Sequence, residues 1–172
     1  MNKRIVAVAT LVILAAVNWA IWEKERHLAE GEVVYLALAP VDPRSLMQGD
    51  YMALNFAVGN RIRAALRERE RGNETANAVN GRVVVSLDER RVAHFQRLES
   101  GEEDLADSEM RLRYRLRNGR VKFATDAFFF QEGQAERYAA ARYGRFRVND
   151  EGEPLLVSLH DDDLAPLGEV KR

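Results

Sequence analysis

The chain has 172 residues, a formal net charge of −1 and no cysteine. A charge so near zero argues against a polyanion-binding protein, nucleic acid included, and the missing thiols exclude disulfides, cysteine catalysis and thiolate metal sites. Lysine stands only at Lys3, Lys24, Lys122 and Lys171 among 26 basic residues, so nearly every cation is an arginine, which stays charged and cannot serve as a general base.

Residues 5–22 are apolar except for Thr10 and Asn18. As a helix, about 18 residues rise about 27 Å, enough to cross a hydrocarbon core. Trp19 and Trp22 close the run, where indoles favour the headgroup layer. A cleaved signal peptide is the rival reading. No small-x-small cleavage site follows, and the run is long for a signal sequence. The expectation is an uncleaved anchor, with residues 1–30 as anchor and stalk and the lipid bilayer as partner through residues 5–22. Lys3 and Arg4 precede the run, whereas Lys24 and Arg26 are interleaved with Glu23 and Glu25. That bias slightly favours the N-terminus inside and the bulk of the chain outside the cytoplasm.

Residues 23–30 read as a helical stalk ending at Gly31. Residues 33–39 form an apolar run that predicts a buried strand. Pro40 and Pro43 then bracket an extended approach, because each proline restrains its own φ and that of its predecessor. Gly49-Asp50 predicts a turn. In the strand that follows, Tyr51, Ala53 and Asn55 share one face and Met52, Leu54 and Phe56 the other. Asn60 is an N-cap candidate for a helix over 61–71, stopped by Gly72. Residues 73–80 read as a loop.

Gly81 opens a strand over 82–87, with a turn at 88–90 and a second strand over 91–98. An acidic loop fills 100–109. Over 109–117, Met110, Leu112, Tyr114 and Leu116 alternate with Arg111, Arg113, Arg115 and Arg117, predicting a half-buried strand with an arginine ladder on its open face. Asn118-Gly119 predicts a tight hairpin returning through 120–125. Phe128, Phe129 and Phe130 suggest a buried strand, and 134–143 a short helix ended by Gly144. A last hairpin joins 145–148 to 155–159, and the tail from His160 is expected to fray. The fold class is α+β: an antiparallel sheet domain over residues 31–165 with two short helices, preceded by one transmembrane helix and followed by a tail over 166–172.

The block Gly49, Asp50, Tyr51, Leu54 and Phe56 resembles the signature of the GDYxxLxY-domain family of bacterial membrane-anchored proteins. Phe56 stands where the family has its final tyrosine. Phe129 through Gly133, including Phe130 and Glu132, and Ala141 through Gly144 resemble the family's C-terminal half. The resemblance implies a membrane-anchored bacterial protein, which with the charge bias above gives an inner (cytoplasmic) membrane location and an extracytoplasmic domain. It also implies a polytopic membrane protein as partner, and no particular activity.

The residues admit two chemical readings. In the first, Gly49-Asp50-Tyr51 is a structural clasp, with Glu132 and Gly133 leading into the helix after them, and the protein binds rather than catalyses. In the second, a tethered hydrolase uses the carboxylates of Asp50, Glu132 and Asp126, or a Ser45/Lys122 pair. The first is favoured, with no catalytic residue, cofactor or metal expected. The run from His160 through Asp163 has metal-binding side chains, but adjacent ligands in a tail do not converge on an ion. The arginine ladder, with Arg61, Arg63, Arg67 and Arg69, reads as a solvated face; anionic lipid headgroups are the alternative partner for it.

Overall fold

The computed structural model describes residues 3–39, 47–48, 51–70, 78–101 and 104–168. Helix α1, Lys3–Glu30, is unbroken. Its two internal polar side chains bond back along the helix: Thr10 Oγ1 donates to the Val6 carbonyl at 2.9 Å and Asn18 Nδ2 to that of Leu14 at 2.8 Å. Satisfying polar groups within the segment is what a hydrocarbon environment demands. The helix is long and apolar enough to cross a membrane, and none of its apolar window is buried against the domain.

The chain after α1 folds into three antiparallel sheets. β1, Glu32–Ala37, pairs with β9, Tyr143–Val148, which pairs with β10, Pro154–His160, and then β11, Pro166–Leu167. The second sheet holds β2, Met47–Gln48, β3, Tyr51–Ala53, and β8, Ala127–Phe129. The third orders β5, Ala93–Leu98, β4, Ala78–Leu87, β6, Glu109–Arg117, and β7, Arg120–Lys122. Helix α2, Ala57–Glu70, packs on β5 and β7, and α3 is a single turn, Ala135–Tyr138. The α+β class, the antiparallel pairing and the two helices after α1 follow the expectation.

The core sits between the first and third sheets and α2. Val34, Leu36, Ile62, Val83, Leu112, Phe123 and Phe146 are fully buried there. Alternation on β6 does what the sequence predicts: Leu112, Tyr114 and Leu116 face in. Asn118 and Gly119 adopt positive φ of 51° and 70°, the geometry of the two-residue hairpin.

Several boundaries differ from the sequence reading. α2 starts at Ala57, so Asn60 lies inside it, and its Oδ1 accepts from Arg63 Nη2 at 2.5 Å. β4 begins at Ala78, within the expected loop. The expected helix over 134–143 shrinks to one turn because Tyr143 and Gly144 are claimed by β9, opposite Ala37 and Leu36. Gly144 is needed there for space: an ideal Cβ would lie 3.0 Å from ring carbons of both Phe146 and Phe56. Glu132 does not cap α3; Gln134 holds the N-cap position without a side-chain bond.

The tail does not fray at His160. His160 is 4% exposed, its Nδ1–H donates to the Leu164 carbonyl at 2.8 Å, and Ser158 Oγ donates to its Nε2 at 2.9 Å. Asp161 Oδ1 accepts from the amides of Asp163 and Ala165, turning the chain so that β11 returns to β10. The stalk is docked as well. His27 is buried and donates from Nε2 to the Arg147 carbonyl at 3.0 Å, while Arg147 Nη1 donates to the Gly31 carbonyl at 2.7 Å.

Candidate functional site

The motif strand lies at the far end of β1 from the anchor. Six strand residues from Glu32 to Ala37 separate the two, about 20 Å of extended chain. Leu38 bridges Phe56, and the Ala39 amide donates to the Asn55 carbonyl at 2.7 Å. β3 pairs with β8 through Tyr51–Phe129, Met52–Phe128 and Ala53–Ala127. Gly49, Asp50 and Ser45, with Pro40 and Pro43, lie outside the described residues; the flanking Gln48 and Tyr51 pair across the β2–β3 ladder.

Met52, Leu54 and Phe56 all turn inward, yet they serve two different apolar clusters. Phe56 is 3% exposed and enters the main core, edge-on to Phe146 at 5.3 Å and Phe123 at 6.1 Å between ring centres. Met52 enters a second cluster with Tyr138, Ala141 and Leu159. Leu54 is half-buried and touches both, and its amide donates to the Asp126 carbonyl at 2.9 Å. Phe128 and Phe130 pack on Tyr138, each with centres 5.2 Å apart. The departure of Phe56 from tyrosine therefore places a purely apolar ring where the walls are apolar.

The run of three phenylalanines is not uniformly buried. Phe129 is 75% exposed, on the opposite face of β8 from Phe128, with its ring 5.8 Å from that of Tyr51. Successive strand residues point to opposite faces, so three in a row cannot all enter one core. That periodicity is the signal in the sequence that identifies Phe129 as the outward residue.

Beside this strand runs a groove of about 470 Å³ lined by Tyr51, Leu54, Phe56, Arg63, Arg120 and Lys122, among others. Lys122 Nζ lies 2.5 Å from Asp126 Oδ2. This lysine hydrogen bond, more than the opposing burial, holds the Asp126 carboxyl below its ordinary value. Lys122 is thus engaged with the carboxylate four residues on. Thr125 in the same groove donates its hydroxyl to the Ala127 carbonyl at 2.9 Å. Glu132 and Gly133 are exposed in the turn before α3, where Gly133 has φ of 79°. The buried Ser158–His160 pair is absorbed by the local turn and lines neither this groove nor the cleft described below. Among the described residues, no group of three or more His, Asp or Glu side chains converges as for a metal ion.

The arginine ladder is partnered. Arg111 Nε meets Glu99 at 2.6 Å, Arg113 reaches Glu153 at 3.6 Å, Arg115 donates to the Ala124 carbonyl at 2.8 Å and Arg117 to Asn80 Oδ1 at 2.8 Å. Among the described residues, Glu99 at the end of β5 and Glu153 in the β9–β10 hairpin are carboxylates that reach it.

A family model described as "GDYXXLXY protein" matches residues 13–159, most of the chain. No curated protein and no solved structure matches it.

Proposed function

The chain belongs to the GDYXXLXY protein family, and from that premise we propose that it is a membrane-anchored binding subunit, not a catalyst, that accompanies a polytopic membrane protein. Its domain would stand on the extracytoplasmic side of a bacterial inner membrane, with α1 retained as an uncleaved single-pass anchor. One observation carries the binding role. Among the described residues, Phe129 is the exposed large hydrophobic side chain outside α1. It stands beside Tyr51 on the motif sheet, and Tyr51 in turn lines the groove that also holds Leu54, Phe56, Arg63, Arg120 and the Lys122–Asp126 pair. Exposed aromatics of this kind anchor protein interfaces because they bury much area with few rotatable bonds.

The test is capture from membranes. Tagged full-length chain should carry a multi-spanning protein through purification, identified by mass spectrometry. Phe129→Ser should lose it while changing the melting free energy by no more than about 0.5 kcal/mol. If Phe129→Ser keeps the partner, and Asp50→Asn or Glu132→Gln abolishes the cellular role of a folded chain, carboxylate chemistry replaces binding. A mature N-terminus near Glu23 would overturn the anchor. A C-terminal reporter active only in the cytoplasm would reverse the orientation.

A further inference from the structure

We propose that the cleft beside the end of α1 is a binding site for the phosphate of an anionic lipid headgroup. The cleft has a volume of about 560 Å³ and is walled by β4, β6 and β7 on one side and by α1 and the start of β10 on the other. Lys24, Arg82, Arg113, Arg115 and Lys122 line it, and Glu153 is the one carboxylate among its lining residues. Beyond the lining, Glu99 lies 3.6 Å from Arg82 and Asp126 lies 2.5 Å from Lys122. Over these described residues, five cations meet three carboxylates, one of which, Glu99, is also shared with Arg111.

Glu153 is shared loosely, 3.9 Å from Lys24 and 3.6 Å from Arg113. Ion pairs this long hold little energy, so a stronger anion displaces them cheaply. Arg82 and Arg115 are the residues able to fork onto phosphate oxygens, which is the geometry guanidinium groups favour. The apolar flank is Pro154 and Leu155, fitting the glycerol and upper acyl region of a lipid.

Position selects the source of the phosphate. Lys24 is two residues beyond Trp22, about 3 Å along the helix axis. The tryptophans mark the headgroup level. The cleft cannot swing away from that level, because His27, Arg147 and Gly31 tie α1 to β9 by reciprocal hydrogen bonds. This inference rests on α1 lying in the bilayer. Its test is independent of that reading, since it is carried out in solution.

Full-length chain in a non-ionic detergent is titrated with dioctanoyl phosphatidylglycerol, dioctanoyl phosphatidylcholine and inorganic phosphate, following the thermal midpoint. Phosphatidylglycerol should raise the midpoint saturably, and the other two should not. Arg82→Gln and Arg115→Gln should each weaken half-saturation about fivefold. Glu153→Gln should tighten it, a gain that misfolding does not imitate. Arg67→Gln, on α2 outside the cleft, should leave it unchanged. Equal response to phosphatidylcholine overturns the proposal, as does equal response to inorganic phosphate, which would make this a free-anion site. Unchanged binding in both arginine variants, or weaker binding in Glu153→Gln, overturns it too.

Discussion

The end of the domain at the anchor and the end at the motif are held by different forces. At the anchor the contacts are polar and directional: His27 to Arg147, Arg147 to Gly31, and Arg91 to Glu32. At the motif they are apolar and aromatic, with Tyr51 against Phe129 and Tyr138 between Phe128 and Phe130. The strands there are also short, three residues each in β3 and β8. Hydrogen bonds fix an angle, whereas ring contacts tolerate sliding. One end orients the domain on its helix; the other closes the motif sheet by ring packing.

The comparison breaks first in the shared core. Phe146 is fully buried and packs on Phe56, so Phe146→Ala should cost about 3–5 kcal/mol and unfold both ends in one transition. A denaturant melt that keeps a second, separate transition would mean the two ends are independent units. Met52 is 3% exposed in the smaller cluster. Met52→Ala should cost about 2 kcal/mol, the low end for such a truncation, because few residues surround it. Hydrogen exchange should quicken in 51–53 and 127–129 while β4 and β6 stay protected. Uniform loss of protection would erase the distinction between the ends.

Ser158→Ala tests the seam between first sheet and tail. It leaves the buried Nε2 of His160 without its donor, at about 1–2 kcal/mol, with faster exchange confined to 158–167. The smallest effect is electrostatic. The Arg97 guanidinium and, after it, the Ala106 amide hold Glu109 below its ordinary value of 4.5. A carboxyl depressed in the folded state contributes in full above its unfolded pKa and is lost as pH falls through its folded one. The wild-type midpoint should therefore decline below about pH 4.5, and Arg97→Gln should lower the plateau slightly and flatten that decline. Parallel curves would remove Glu109 from the acid response.

Much of the domain was legible in the sequence because its strands carry their own instructions. The alternation over 109–117 and the Asn118-Gly119 turn dictate β6 and β7, since side-chain direction in a strand has period two whatever the strand packs against. The apolar run over residues 5–22 likewise dictates α1. The motif drew attention to Tyr51, Leu54 and Phe56, but not to which cluster each would join.

What the sequence left to the tertiary structure has a common cause. Residues 134–143 have a helical pattern, yet Tyr143 and Gly144 pair with β1, because a sheet position beside Leu36 outweighs weak local propensity in a short helix. His160 looked like part of a charged tail until Ser158 and Leu164 supplied both its bonds. His27 looked like stalk until Arg147 came within reach from 120 residues away in the chain. The arginine ladder looked open until Glu99 and Glu153 reached it from other elements. Period and turn chemistry are local and can be read along the chain. The partner of a polar side chain is set by which distant segments meet, and only the folded structure brings them together.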